Sequence, residues 1–132
     1  MTKTKGGYVD GFVLVVPKAK RAAYKKMAEE GKQMWLKRGA LDYKECRLDH
    51  AKPKWVTFTF PKMAKAKKGD EVWFSYIVYR DKKHRDTVNK AMEKDMVEWQ
   101  KKEGKSKKEA MAAMPFDMKK MAYGGFVVEV SG

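Results

Sequence analysis

The run Val72-Trp-Phe-Ser-Tyr-Ile-Val-Tyr79 is β-branched or aromatic at every position except Ser75. That composition favours a strand, and a strand apolar on both faces demands cover on both. Two further runs share the character: Tyr8-Val-Asp-Gly-Phe-Val-Leu-Val-Val16, closed by Pro17, and Ala122-Tyr-Gly-Gly-Phe-Val-Val-Glu-Val130. Residues 40–49 predict a second strand in chain order. Leu41, Tyr43, Glu45 and Arg47 fall on one of its faces, Asp42, Lys44, Cys46 and Leu48 on the other. After a turn at His50-Ala-Lys-Pro53, Trp55-Val-Thr-Phe-Thr-Phe60 alternates and predicts a short strand.

Helical periodicity fills the gaps between strands. Over 18–38 the apolar stripe is Tyr24, Met27/Ala28, Gly31 and Met34/Trp35, and Gly39 suits the C-terminus. Asp81 can cap a second long helix with the stripe Val88, Ala91/Met92, Met96 and Trp99. Residues 101–114 read as a charged break and a short helix, opened by the capping box Ser106-Lys-Lys-Glu109 and ended by Pro115. The order β-α-β-(β)-β-α-(α)-β predicts an α+β, ferredoxin-like βαββαβ sandwich, an antiparallel sheet with helices on one face. The expected organisation is a single domain over 1–132, with 1–7 a flexible tail and 61–70 a Lys-rich loop. Gly11-Phe12-Val13 and Gly125-Phe126-Val127 echo each other, as adjacent first and last strands of two related halves would. Helices on one face leave the other apolar face bare, which predicts a homodimer packed sheet against sheet.

With 132 residues, 43% of them hydrophobic, the chain can bury a core, and global disorder is excluded. The net charge of +14 raises the question of acidic partners. The excess lies at Lys3 and Lys5, in residues 18–38, at Lys62, Lys65, Lys67 and Lys68, and in residues 94–109; elsewhere acids and bases balance. Of the 31 basic residues 26 are Lys, whereas bidentate recognition of phosphates and bases favours Arg. A solvated Lys surface is the plainer expectation. Specific nucleic-acid binding is not expected, although non-specific polyanion contact stays open. Tyr123-Gly-Gly-Phe-Val-Val127 superficially resembles the aromatic run of an RNA-recognition motif, but it stands on the last strand rather than the third. A lone Cys46 excludes an internal disulfide and a Cys-built zinc site. Without an apolar leader or a membrane-length apolar stretch, the expected home is the cytoplasm.

Several short segments carry a family likeness. Tyr8-Val-Asp-Gly-Phe12, Gly39-Ala-Leu41 with Glu45-Cys46, Phe74-Ser75, Arg85-Asp86 with Asn89 and Met92, Met114-Pro-Phe-Asp117 and Met121-Ala-Tyr-Gly-Gly-Phe126 resemble the YbaA-like family of small bacterial and archaeal proteins of unknown function. The likeness runs over residues 8–130, is most specific at its two ends, and departs in the Lys-rich 101–108 stretch. It implies the dimeric α/β-barrel superfamily, whose members include cofactor-free monooxygenases, isomerases, dehalogenating enzymes and haem-dependent chlorite-degrading enzymes. The implied fold agrees with the pattern above, and the reaction stays open.

Polar groups inside apolar strands are the candidates for chemistry. Asp10 shares a strand face with Phe12 and Leu14, and Glu45 lies mid-strand in the second. A carboxylate there is costly unless paired, and burial moves its pKa toward the acid–base range. Arg47 or Arg85 could pair with it. Arg85, Asp117 and Tyr123 complete the candidate ligand-binding set. The competing structural roles are an Asp10-Gly11 bulge, an Asp117 cap and an Arg85 ion pair. Cys46, Asp49 and His50 provide too few ligands for a metal site, and the Met111, Met114, Met118, Met121 series is broken by Pro115. The residues imply no cofactor and no metal. The leading expectation is a dimer with a small-molecule or cofactor-free enzyme-like pocket between sheet and helices, using Asp10 or Glu45 as base. The alternative is a non-catalytic accessory protein meeting polyanions through its Lys-rich face.

Overall fold

A computed structural model describes residues 6–132. Lys3 and Lys5 lie outside the described residues. Four strands, β1 (Tyr8–Pro17), β2 (Asp42–Arg47), β3 (Asp70–Tyr79) and β4 (Ala122–Val127), form one sheet in the order β2-β3-β1-β4. Every neighbouring pair is antiparallel. This is the ferredoxin-like arrangement, and the strands bearing the Gly-Phe-Val echo are adjacent. Gly11 pairs with Gly124 on one side and Tyr76 on the other, in unbroken register, so Asp10-Gly11 forms no bulge.

Two long helices, α1 (Arg21–Lys37) and α3 (Lys82–Glu103), cover one face. Tyr24 and Ala28 of α1 pack with Leu14, Val16 and Trp73, and Val88 and Met92 of α3 pack with Tyr8, Ile77 and Tyr79. The Arg38 guanidinium donates to Asp95 at 2.7 Å and ties the end of α1 to α3. As expected, the Asp81 carboxylate caps α3, accepting from His84 N–H at 2.8 Å. The Ser106–Glu109 capping box opens α4 (Lys107–Ala112). The apolar stripe of α3 runs past its cover: Val88 is 1% exposed, but Met96 and Trp99 remain over 40% exposed.

The segment 55–60 departs from expectation. It is not a strand; it runs irregularly into a short helix, α2 (Phe60–Ala64), capped by Thr59 and carrying Pro61 in its first turn. Pro preorganises a helix start and withholds the N–H a ladder needs. The expected Lys-rich loop is therefore partly helical. Its Ala64 packs with Val15 and Val72 on the sheet face opposite α1 and α3, covering one end of it. The rest of that face stays open, with Phe74 44% and Phe126 60% exposed.

Candidate functional site

Strand alternation places Tyr8, Asp10 and Phe12 on the helix-covered face of β1. Asp10 is 1% exposed. Arg85, in the first turn of α3, reaches down to it, with Nη1 3.4 Å from Asp10 Oδ1. The same Nη1 donates to the Tyr123 hydroxyl at 2.7 Å, and Nη2 donates to the Tyr8 hydroxyl at 3.1 Å. The guanidinium carbon stands 5.0 Å from the Tyr8 ring centroid, within cation–π range. Tyr123 stacks on Phe12 with ring centroids 4.8 Å apart, so β1 and β4 together fix its ring.

The cluster is incompletely satisfied. Asp10 Oδ1 makes no hydrogen bond, and neither does Arg85 Nε. Nε lies 3.0 Å from Asp86 Oδ1, a charge contact without the alignment of a hydrogen bond. Burial pushes the Asp10 carboxyl above the ordinary carboxylate range, against the opposing pull of the Arg85 charge and the Tyr123 and Tyr79 hydroxyls. Burial, followed by the nearby Asp10 charge, raises the Tyr123 phenol too.

Glu45 stands apart from this cluster, on β2. Its two oxygens accept from the Tyr24 hydroxyl at 2.7 Å and the Tyr43 hydroxyl at 2.6 Å. Both phenols are pushed up, chiefly by burial and then by Glu45 itself. Both Glu45 oxygens thus hold hydroxyl partners that leave the carboxylate little freedom to serve as a base. Asp117 takes its structural role, accepting from Lys119 N–H at 3.0 Å to cap the turn Met118–Lys120.

The structure thus brings Asp10, Arg85 and Tyr123 together and leaves Glu45 and Asp117 elsewhere. Arg85, not Arg47, is the partner of Asp10. Sequence reasoning missed Tyr8 beside Asp10 and, having placed Tyr43 on the strand face of Glu45, missed the hydrogen bond between those two. In both pairs the tyrosine lies two residues before the carboxylate on one strand face, and that spacing was a readable signal. Two surface clefts lie away from both carboxylates. One of about 310 Å³ is lined by Cys46, Arg47, Leu48, Asp49, Phe60, Val72 and Phe74. The other, about 300 Å³, lies at the start of α3 against Arg80, Asp81, Lys83, His84 and Thr87. Neither cleft is lined by Asp10, Arg85 or Tyr123. Among the described residues no helix is long and apolar enough to cross a membrane.

Residues 7–118 match the model of a family described as "Protein of unknown function (DUF1428)". The chain belongs to the DUF1428 family. It is 40% identical over 119 residues to the uncharacterized protein YbaA of Escherichia coli K12, covering 90% of this chain and 93% of that protein. The YbaA of Shigella flexneri matches with the same figures. The fold of this DUF1428 chain is similar to a crystal structure of a dimeric ferredoxin-like protein from an uncultured marine organism. That match has a TM-score of 0.53 and 11% identity, and covers 96% of this chain and 99% of the other. The family match covers the strand with Asp10 and the helix with Arg85 and stops before Tyr123.

Proposed function

We propose that this protein is a homodimer whose subunits each carry a cofactor-free acid–base site for a small carbonyl compound, with Asp10 as the base. The single observation that carries the acid–base role is a carboxylate 1% exposed, with one oxygen lacking a hydrogen bond, held 3.4 Å from a guanidinium. A raised pKa makes a carboxylate a better base, and a dry site strengthens each charge in it. Asp10 takes the proton from a carbon beside the carbonyl. The enolate oxygen then accepts hydrogen bonds from Arg85 and the Tyr123 hydroxyl, and Asp10 returns the proton to carbon. Tyr123 is 49% exposed and stands beside Asp10 at the edge strand, so its ring borders the route by which a ligand reaches the carboxylate. The dimer is supported by the open apolar sheet face and by the dimeric description of the similar solved structure.

The test is carbon-bound hydrogen exchange in D2O, read by NMR, across a panel of small 2-oxo acids and 1,3-dicarbonyl compounds. Wild type exchanges at least one member, and Asp10→Asn loses about 100-fold or more of that rate. No exchange with any member, or an equal rate in Asp10→Asn, rejects the role.

A further inference from the structure

We propose that Trp55 of one subunit inserts its indole into the cleft beside Cys46 on the other, an exchange that rests on the homodimer reading. The segment 55–60 concentrates exposed apolar bulk: Trp55 is 98% exposed, Phe58 70%, Phe60 49% and Val56 47%. Single exposed apolar residues are ordinary, whereas four within six residues mark a contact surface. Trp55 also has φ 74°, a left-handed conformation that a bulky aromatic rarely adopts without a constraint. Its own subunit gives the indole almost no cover.

The receiving cleft is on the same open face. Its floor is Cys46, Leu48, Val72 and Phe74, and its volume of about 310 Å³ accommodates an indole. Phe60, from the segment itself, forms one wall, so knob and hole adjoin each other in every subunit. Two-fold symmetry turns such a pair into two identical contacts, each subunit giving its knob and receiving its partner's. Charge agrees: Lys54 precedes Trp55, Asp49 lines the cleft, and neither is in an ion pair among the described residues.

Cys46 supplies the probe, because it is the only cysteine of the chain, lines the cleft and is exposed within one subunit. Sedimentation of wild type comes first, and a monomer at all concentrations overturns both the homodimer reading and the exchange. With a wild-type dimer established, Trp55→Ser weakens dimerisation about tenfold or more, and Cys46 reacts faster with a thiol reagent. Trp55→Cys forms a disulfide-linked dimer with the partner's Cys46 on mild oxidation, seen on a non-reducing gel. Circular dichroism verifies that both variants fold. Unchanged dimer affinity with equal thiol reactivity in Trp55→Ser overturns the exchange and leaves the homodimer standing. So does an oxidised Trp55→Cys protein that runs as a monomer, or a Trp55-dependent flotation with phosphatidylglycerol vesicles.

Discussion

Arg85→Ala lowers the unfolding free energy by about 3–5 kcal/mol at neutral pH, and the loss shrinks on acidification. The substitution removes the partner of a carboxylate that is almost wholly buried, together with the hydrogen bonds to Tyr8 and Tyr123. Burial already holds Asp10 above its ordinary pKa of 3.8, and the Arg85 charge is the largest influence pulling it down. Without Arg85 the carboxyl rises further. A carboxyl that binds its proton more tightly folded than unfolded contributes its full stability below the unfolded pKa. That contribution is lost as pH rises through the folded value. Near pH 3.8 and below, the variant therefore lacks mainly packing and the two phenol contacts; at pH 7 it also bears the cost of burying or protonating Asp10. Urea unfolding at both pH values, at one protein concentration, measures the difference. A second arm is Asp10→Asn/Arg85→Ala, which removes the charge along with its partner and unfolds less readily at pH 7 than Arg85→Ala alone. Equal losses at the two pH values would sink the argument.

What could be read from the sequence divides by the range of the interactions. The Asp81 cap and the Ser106–Glu109 box are local, and both form as the spacing predicts. The three apolar runs form strands because each matches the pleat and finds a neighbour. Alternation over Trp55–Phe60 failed as a predictor because a strand needs a ladder partner as well as a pattern. Pro53 and Pro61 bracket the run, and Thr59 caps a helix with its side chain instead. Asp117 had two plausible roles, and the local one prevailed. The choice between Arg47 and Arg85 could not be made locally. It follows from strand order, since β1 lies beside β3 and only two residues, Arg80 and Asp81, separate β3 from α3, which brings the first turn of α3 over Asp10. Tyr123 completes the cluster only because β4 returns to the other edge of β1.

That return also explains a glycine. Gly125→Ala destabilises the protein by about 1–3 kcal/mol, although its backbone conformation suits any residue. Gly125 pairs with Asp10 across the β1–β4 ladder, and the Tyr8 ring lies directly over it. A methyl group there would stand 2.2 Å from the Tyr8 hydroxyl oxygen and 2.8 Å from two ring carbons. Tyr8 is 7% exposed and packs with Ile77, Tyr79 and Val88, so the ring has little room to yield. Lifting it also withdraws a hydrogen bond and a cation–π face from Arg85. The same substitution at Gly31 has the opposite sign. There the added methyl would sit 3.6 Å from the Tyr43 hydroxyl, an ordinary contact inside α1. Replacing a mid-helix glycine by alanine gains about 0.5–1 kcal/mol. Thermal or urea unfolding of the two variants separates the explanations. If Gly125→Ala is as stable as wild type, the Tyr8 ring is free to move, and the cluster around Asp10 is not held from below by the β4 backbone.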